Sequence, residues 1–207
     1  MTAVLITGVT GKQGGSLIKS LISRNAPFEI LAVTRNPIST SVQKLRNLSP
    51  SIKLRLTSSS IWGKSLIDEA LKQNVKFFVY SSVDRGGEEH SYTNLTKIPY
   101  FIKKHNIEYY FVDCSKNTSM EWTILRPTVF YENLTPDFFG KKRGELLPMA
   151  FWPVCLLFMV MMRDMGYMFR WFHEEGYGAD VMALREVHPN LKDFGTWLEM
   201  ESGFGKR

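Results

Sequence analysis

The sequence predicts an open α/β fold, a parallel sheet with helices on both faces, followed by a small, mainly helical C-terminal region. Three observations carry this reading. A β-rich apolar run, Ala3 to Ile6, breaks into Gly8, Gly11 and Gly14, and an amphipathic segment from Ser16 to Ile22 follows at once, giving strand, tight turn and helix. Further short apolar runs, Phe28 to Thr34, Ile52 to Leu56, Val75 to Ser81 and Trp122 to Arg126, alternate with helix-compatible segments. The chain has 207 residues, 44% of them apolar, enough for one core and a small appendage.

The first turn would aim the unpaired N–H groups of a helix N-terminus, and the positive end of the helix dipole, at whatever sits above it. A phosphate fits there. One glycine can turn the chain at positive φ, one lets the backbone approach a pyrophosphate, and one lets the helix pack close to the strand. The spacing Gly-x-x-Gly-x-x-Gly departs from the simplest dinucleotide fingerprint, so the motif draws its weight from the strand and helix that frame it. A plain glycine turn is the alternative.

The second strand ends in Thr34-Arg35-Asn36-Pro37. In a dinucleotide fold this tip meets the adenosine ribose, where an acid favours a free 2′-OH and an arginine a 2′-phosphate. No Asp or Glu is present, and the guanidinium fork of Arg35 suits a phosphate, which favours NADP(H) over NAD. Otherwise Arg35 is a surface arginine before a proline turn.

Ser39 to Leu48 fits a short helix and Ile52 to Leu56 a third strand. A parallel strand needs a crossover of a dozen or more residues to reach the next, yet only Thr57 to Gly63 precede the helix at Lys64 to Gln73. A strand and much of a helix, from a βαβ-type unit of ~30 residues, are absent. The chain resumes with the strand Val75 to Ser81, whose end, Ser81, Ser82 and the loop Val83 to Gly87, faces the site in an open α/β sheet.

Lys97 to Asn106 is helix-compatible and holds Tyr100 and Lys104, four residues apart and on one helical face. A tyrosine beside a lysine can have its pKa lowered and serve as acid or base in carbonyl reduction. The same spacing also fits an ordinary surface pair. Trp122 to Arg126 is a further strand, stopped by Pro127, and Pro127 to Phe139 leads to Gly140, where the first domain (1–140) gives way to a helical region (141–207).

Leu146 to Met162 are seventeen uncharged residues, interrupted by Pro148 and Pro153. A spanning helix needs about 20 apolar residues, so a buried or partner-covered segment is expected in preference to a membrane span. Two tail helices, Ala179 to Val187 and Phe194 to Glu201, complete the chain, the second opened by an Asp193 cap.

Composition narrows the function. The net charge is +6, but the basic residues are scattered and only Lys141-Lys142-Arg143 forms a run, so no direct nucleic-acid binding is expected. Cys114 and Cys155 match no metal or redox spacing, the four histidines stand singly, and no metal site is expected. No Gly-x-Ser-x-Gly elbow occurs. Met1 to Ile6 is a strand rather than an export signal, so a cytoplasmic protein is expected.

Taken in order, Ile6-Thr-Gly-Val-Thr-Gly-Lys-Gln-Gly14, Thr34-Arg35-Asn36-Pro37, Phe78-Val-Tyr-Ser-Ser-Val83 and Trp122-Thr-Ile-Leu-Arg-Pro127 resemble the NmrA-like proteins, atypical relatives of the short-chain dehydrogenases/reductases that are common in fungi. The stretch Asp164 to Tyr177 also looks like the tail of fungal members. The resemblance implies a Rossmann-type sheet binding NADP(H), covered by a smaller C-terminal region. It implies one of two activities: an oxidoreductase, often of secondary metabolism, acting on a carbonyl or enone, or a regulator that senses the dinucleotide and binds a protein partner, in which case a nuclear location is also open. Carried over by motif, Thr7, Gly8, Thr10, Gly11, Lys12, Gln13 and Gly14 would hold the pyrophosphate. Arg35 would meet the 2′-phosphate, Asn36 would also bind the cofactor, and Lys104 would meet the nicotinamide ribose. Tyr100 occupies the place of the short-chain dehydrogenase tyrosine, and Ser81 or Ser82 would orient the carbonyl. Relative to the family pattern the chain is short, with gaps between Leu56 and Lys64 and between Gly144 and Leu147, and a lost strand would leave a hole beside the first strand.

Overall fold

The computed structural model of the chain describes residues 2–56, 63–93, 96–131 and 163–202, the side chains of 163–165 excepted. Parallel strands flanked by helices form, as the Rossmann-type reading requires, and the chain divides into two compact units, Met1–Leu66 and Ile67–Arg207. The boundary expected at residue 140, the basic run at 141–143 and the apolar run 146–162 lie outside the described residues.

The first unit comprises β1 (Thr2–Ile6), α1 (Lys12–Ser23), β2 (Phe28–Thr34), α2 (Thr40–Arg46) and β3 (Ile52–Leu56). The strands pair in parallel in the order β1-β2-β3, with Thr2 opposite Phe28 and Ile30 opposite Ile52. Strand alternation puts Ile6, Ile30, Ala32 and Ile52 on one face, where Ile18 of α1 and Leu45 of α2 pack against them. Both helices thus cover the same face, as two successive right-handed crossovers in one direction require. The opposite face carries Leu5, 55% exposed, and a salt bridge between Lys53 and Glu29.

The second unit comprises α3 (Lys64–Lys72, begun at the end of the first unit), β4 (Phe77–Ser81), α4 (Glu88–Thr93), α5 (Pro99–Ser115), β5 (Glu121–Leu125), α6 (Arg163–Glu174), α7 (Val181–Val187) and α8 (Phe194–Met200). Here β4 and β5 form a two-stranded parallel sheet, with Phe77 opposite Glu121 and Ser81 opposite Leu125. Phe78, Tyr80, Trp122 and Ile124 face Ile67 and Ala70 of α3 and Phe111 of α5. The other face leaves Phe77, Val79 and Leu125 exposed.

The split into two sheets follows from the missing segment. A doubly wound sheet runs 3-2-1-4-5-6, and strand 4 pairs with the free edge of strand 1. Without it, 3-2-1 and 5-6 are the pieces that remain, and these correspond to the two sheets observed.

Element boundaries differ from expectation chiefly at α5, which runs on to Ser115 instead of ending near Asn106. Its start at Pro99 is favoured because the first helical position needs no N–H partner. The Asp193 cap forms as expected, accepting the Thr196 N–H at 2.7 Å. Asp180 caps α7 in the same way, from Met182 and Ala183.

Candidate functional site

The glycine loop assigns its three roles to particular residues. Gly8 has φ of +63°, and its carbonyl accepts the Gly11 N–H at 2.9 Å, closing the turn. A Cβ on Gly14 would lie 2.5 Å from the Gly8 carbonyl oxygen and 2.8 Å from its carbon, so this is the glycine that lets α1 approach β1. Gly11 is the N-cap of α1 and supplies no capping side chain, and the first turn holds no acid. The cap position therefore places no side chain of its own over this N-terminus, which suits an anion. Val9 is buried and anchors the loop, while Thr7, Thr10, Lys12 and Gln13 are exposed around it.

The tip of β2 is a built turn. Thr34, 8% exposed, accepts the Asn36 N–H through Oγ1 at 3.2 Å, and Asn36 Oδ1 accepts the Ile38 N–H at 3.2 Å. Gln43 Nε2 donates to the Pro37 carbonyl. Asn36, expected at the cofactor, thus spends its amide oxygen on shaping the turn that presents the exposed Arg35.

In the second unit Lys104 donates from Nζ to the Ser81 carbonyl at 2.6 Å, with the ammonium 5.1 Å from the centre of the Tyr80 ring and 5.7 Å from that of Tyr100. Tyr100 and Lys104 do share a locus, but Lys104 meets ring faces and a carbonyl. Burial pushes the Tyr100 hydroxyl above its ordinary value. This corrects the expected depression of its pKa by Lys104: partial desolvation disfavours phenolate and outweighs a cation spent on the strand end. Burial likewise pushes Lys104 down, with Glu108 opposing. Ser81 is half-buried, whereas Ser82 is only 4% exposed and sits on the inner side of the strand end. Of the two serines expected to orient a carbonyl, Ser81 is the more accessible.

Sequence reasoning missed a buried ionic cluster next to this locus. Glu108, 1% exposed, accepts from both Nη atoms of Arg85, at 2.8 and 3.2 Å, and from Arg126 Nη2 at 3.1 Å. Arg85 is fully buried and also donates to the carbonyls of Val83 and Ser91. The guanidinium of Arg126 lies 4.2 Å over the Tyr92 ring. One signal was present: Tyr100, Lys104 and Glu108 recur at intervals of four, a single helical stripe. Nearby, Asp84 accepts the Gly178 N–H at 2.9 Å and the Gly87 N–H at 3.2 Å, pinning the tail turn to the loop after β4.

Among the described residues no helix is long and apolar enough to cross a membrane, and no cluster of metal-ligating side chains occurs. No family model matches the chain. It is similar to the NmrA-like family domain-containing oxidoreductase cpsB of Aspergillus campestris (strain IBT 28561), 38% identical over 78 residues, which are 38% of this chain and 22% of that protein. It is also similar to ptmS of Penicillium ochrochloron, another NmrA-like family domain-containing oxidoreductase, 30% identical over 112 residues, covering 38% of this chain and 33% of that one. The matches thus span a third or less of the curated relatives' length. Among solved structures, the Escherichia coli NADPH-dependent quinone oxidoreductase QOR2 superposes at a TM-score of 0.47 with 24% identity, over 62% of this chain and 50% of that one. NmrA, a negative transcriptional regulator solved with NADP, gives 0.48 and 17% over 64% and 48%. Over the stretches that it shares with these two curated relatives, this chain is similar to NmrA-like family oxidoreductases.

Proposed function

We propose that the chain binds NADP(H) through the Gly8–Gly14 loop and Arg35 and acts as a cytoplasmic oxidoreductase on a carbonyl or enone small molecule, as in secondary metabolism. The observation that carries the reading is the N-terminus of α1, which is capped by a glycine, has no acid in its first turn and is brought close to β1 by a glycine that tolerates no Cβ. That cradle fits a pyrophosphate. The names of the curated relatives support the oxidoreductase class.

When bound, the dinucleotide supplies or accepts the hydride. The chain's own residues do the rest. Thr7, Thr10, Lys12 and Gln13, exposed around the loop, would hold the phosphates, and Arg35 would take the 2′-phosphate through its fork. Lys104, seated on the Ser81 carbonyl, is the residue of the second unit that would hold the nicotinamide ribose. Tyr100 is a phenol at neutral pH, the form that gives a proton to a carbonyl oxygen, and burial, by raising its pKa, makes it a weaker acid than an ordinary tyrosine.

One observation favours a second reading, a dinucleotide-sensing regulator that binds a protein partner without turnover: Lys104 is engaged by a backbone carbonyl and does not activate Tyr100.

Thermal-shift titration with NADP, NADPH, NAD and NADH tests cofactor binding. A ligand at 100 times its Kd stabilises by about 2.7 kcal/mol, so a clear shift with NADP(H), smaller with NAD(H), is expected. Arg35→Ala should erase the difference between them. No shift with any of the four sinks both readings. Substrate-dependent NADPH consumption lost in Tyr100→Phe selects the enzyme, and binding without turnover selects the regulator.

A further inference from the structure

Lys104 stands in a setting that does not hold it by itself. Its ammonium is drawn from water by the strand end and by the rings of Tyr80 and Tyr100, and it donates a hydrogen bond to a neutral carbonyl, that of Ser81. Burial alone favours the neutral amine. The carboxylate of Glu108 lies one helical turn further along α5, on the same face, and it cannot drift. Arg85 grips both of its oxygens from the loop after β4, and Arg126 grips them from the segment after β5. Two guanidinium groups hold Glu108 below the usual carboxylate range even though burial acts the other way.

We propose that Glu108 is a positioning residue for Lys104: fixed by Arg85 and Arg126, its carboxylate keeps the Lys104 ammonium charged and seated on the Ser81 carbonyl between the rings of Tyr80 and Tyr100. Among the described residues, the groups that face Lys104 are Tyr80 from β4 and Tyr100 and Glu108 from α5, with Arg85 and Arg126 beyond the carboxylate. His105, the next residue on α5, is pushed towards its neutral form by burial and then by Arg85, so it adds no competing charge at neutral pH. Glu108 is therefore the only carboxylate in this set, and it acts through Lys104 without touching a substrate.

The structural part of this proposal stands without a cofactor, while its consequence for binding rests on the reading that Lys104 meets the ribose. The experiment separates the two. Lysine side chains labelled with 13C at Cε are titrated by NMR in the cofactor-free protein, with the Lys104 resonance assigned by its absence in Lys104→Met. In Glu108→Gln, the Lys104 midpoint should fall by about one pH unit, a tenfold loss of proton affinity. In Glu108→Asp, which keeps the charge, it should stay within a few tenths of a unit of the parent. If the glutamine variant does not fold, the aspartate variant decides: a midpoint fallen by a full unit with the charge retained overturns the proposal. So does an unmoved midpoint in folded Glu108→Gln. Dinucleotide affinity is then read against pH. In Glu108→Gln it should begin to fall about one unit lower than in the parent. Parent protein that binds no dinucleotide removes the ribose reading and leaves the NMR result standing.

Discussion

Replacing Arg85 with leucine lowers the unfolding free energy of the second unit by about 3–5 kcal/mol, read as a shifted urea midpoint in the fluorescence of Trp122 and Trp171. The guanidinium is fully buried and bonded to two carboxylate oxygens and two backbone carbonyls. Leucine restores apolar volume but leaves the Ser91 and Val83 carbonyls without this donor, each unpaired group costing about 1–3 kcal/mol. It also leaves Glu108 with Arg126, which is itself 12% exposed, as its remaining guanidinium partner among the described residues. Arg85→Lys should fall between leucine and the parent, because one ammonium cannot span both carboxylate oxygens and the Ser91 carbonyl. A loss below about 1 kcal/mol for leucine would mean that the cluster behaves like a hydrated surface pair.

The parts of this protein that were legible in its sequence are those whose cause is local. Gly8, Gly11 and Gly14 declare a turn, and the structure shows glycine to be demanded by φ at Gly8 and by close approach at Gly14, with Gly11 as the helix cap. The absent strand was legible by counting: seven residues from Thr57 to Gly63 cannot carry a crossover and a strand, and the strands accordingly fall into two sheets. The length of α5 was not legible. Its buried positions include His105, Glu108 and Ser115 beside Phe101 and Phe111, so apolar periodicity fades where the helix in fact continues. Polar burial hid Arg85 and α4 in the same way. Ser91 of that six-residue helix is fully buried because Arg85 binds its carbonyl, a contact across the loop that neither residue announces alone. Likewise, a run of two serines at a strand end does not reveal which one turns inward, and Ser82 does.

Gly14→Ala should abolish the shift given by NADP(H) and destabilise the first unit by about 1–3 kcal/mol, although alanine is the better helix former. Two effects of opposite sign meet at this position. Within α1, exchanging glycine for alanine favours the helix by about 1 kcal/mol. Against that, the new Cβ would sit 2.5 Å from the Gly8 oxygen, 2.8 Å from the Gly8 carbon and 3.0 Å from Val9 Cα, all backbone atoms of the loop itself. No rotamer change relieves such a clash, so either the loop or the helix must move, and both form the proposed phosphate cradle. Gly11→Ala is the control: its Cβ meets a single atom, the Gly8 oxygen, at 3.2 Å, which a shift of a few tenths of an ångström relieves. Gly8→Ala meets nothing, but at φ of +63° it strains the backbone by about 1–3 kcal/mol. The order of dinucleotide binding should therefore be parent, then Gly11→Ala, then Gly14→Ala, with urea unfolding following the same order. A Gly14→Ala protein as stable as the parent and still shifted by NADP would show that α1 slides along β1 at little cost, and that close approach at Gly14 is not what shapes the site.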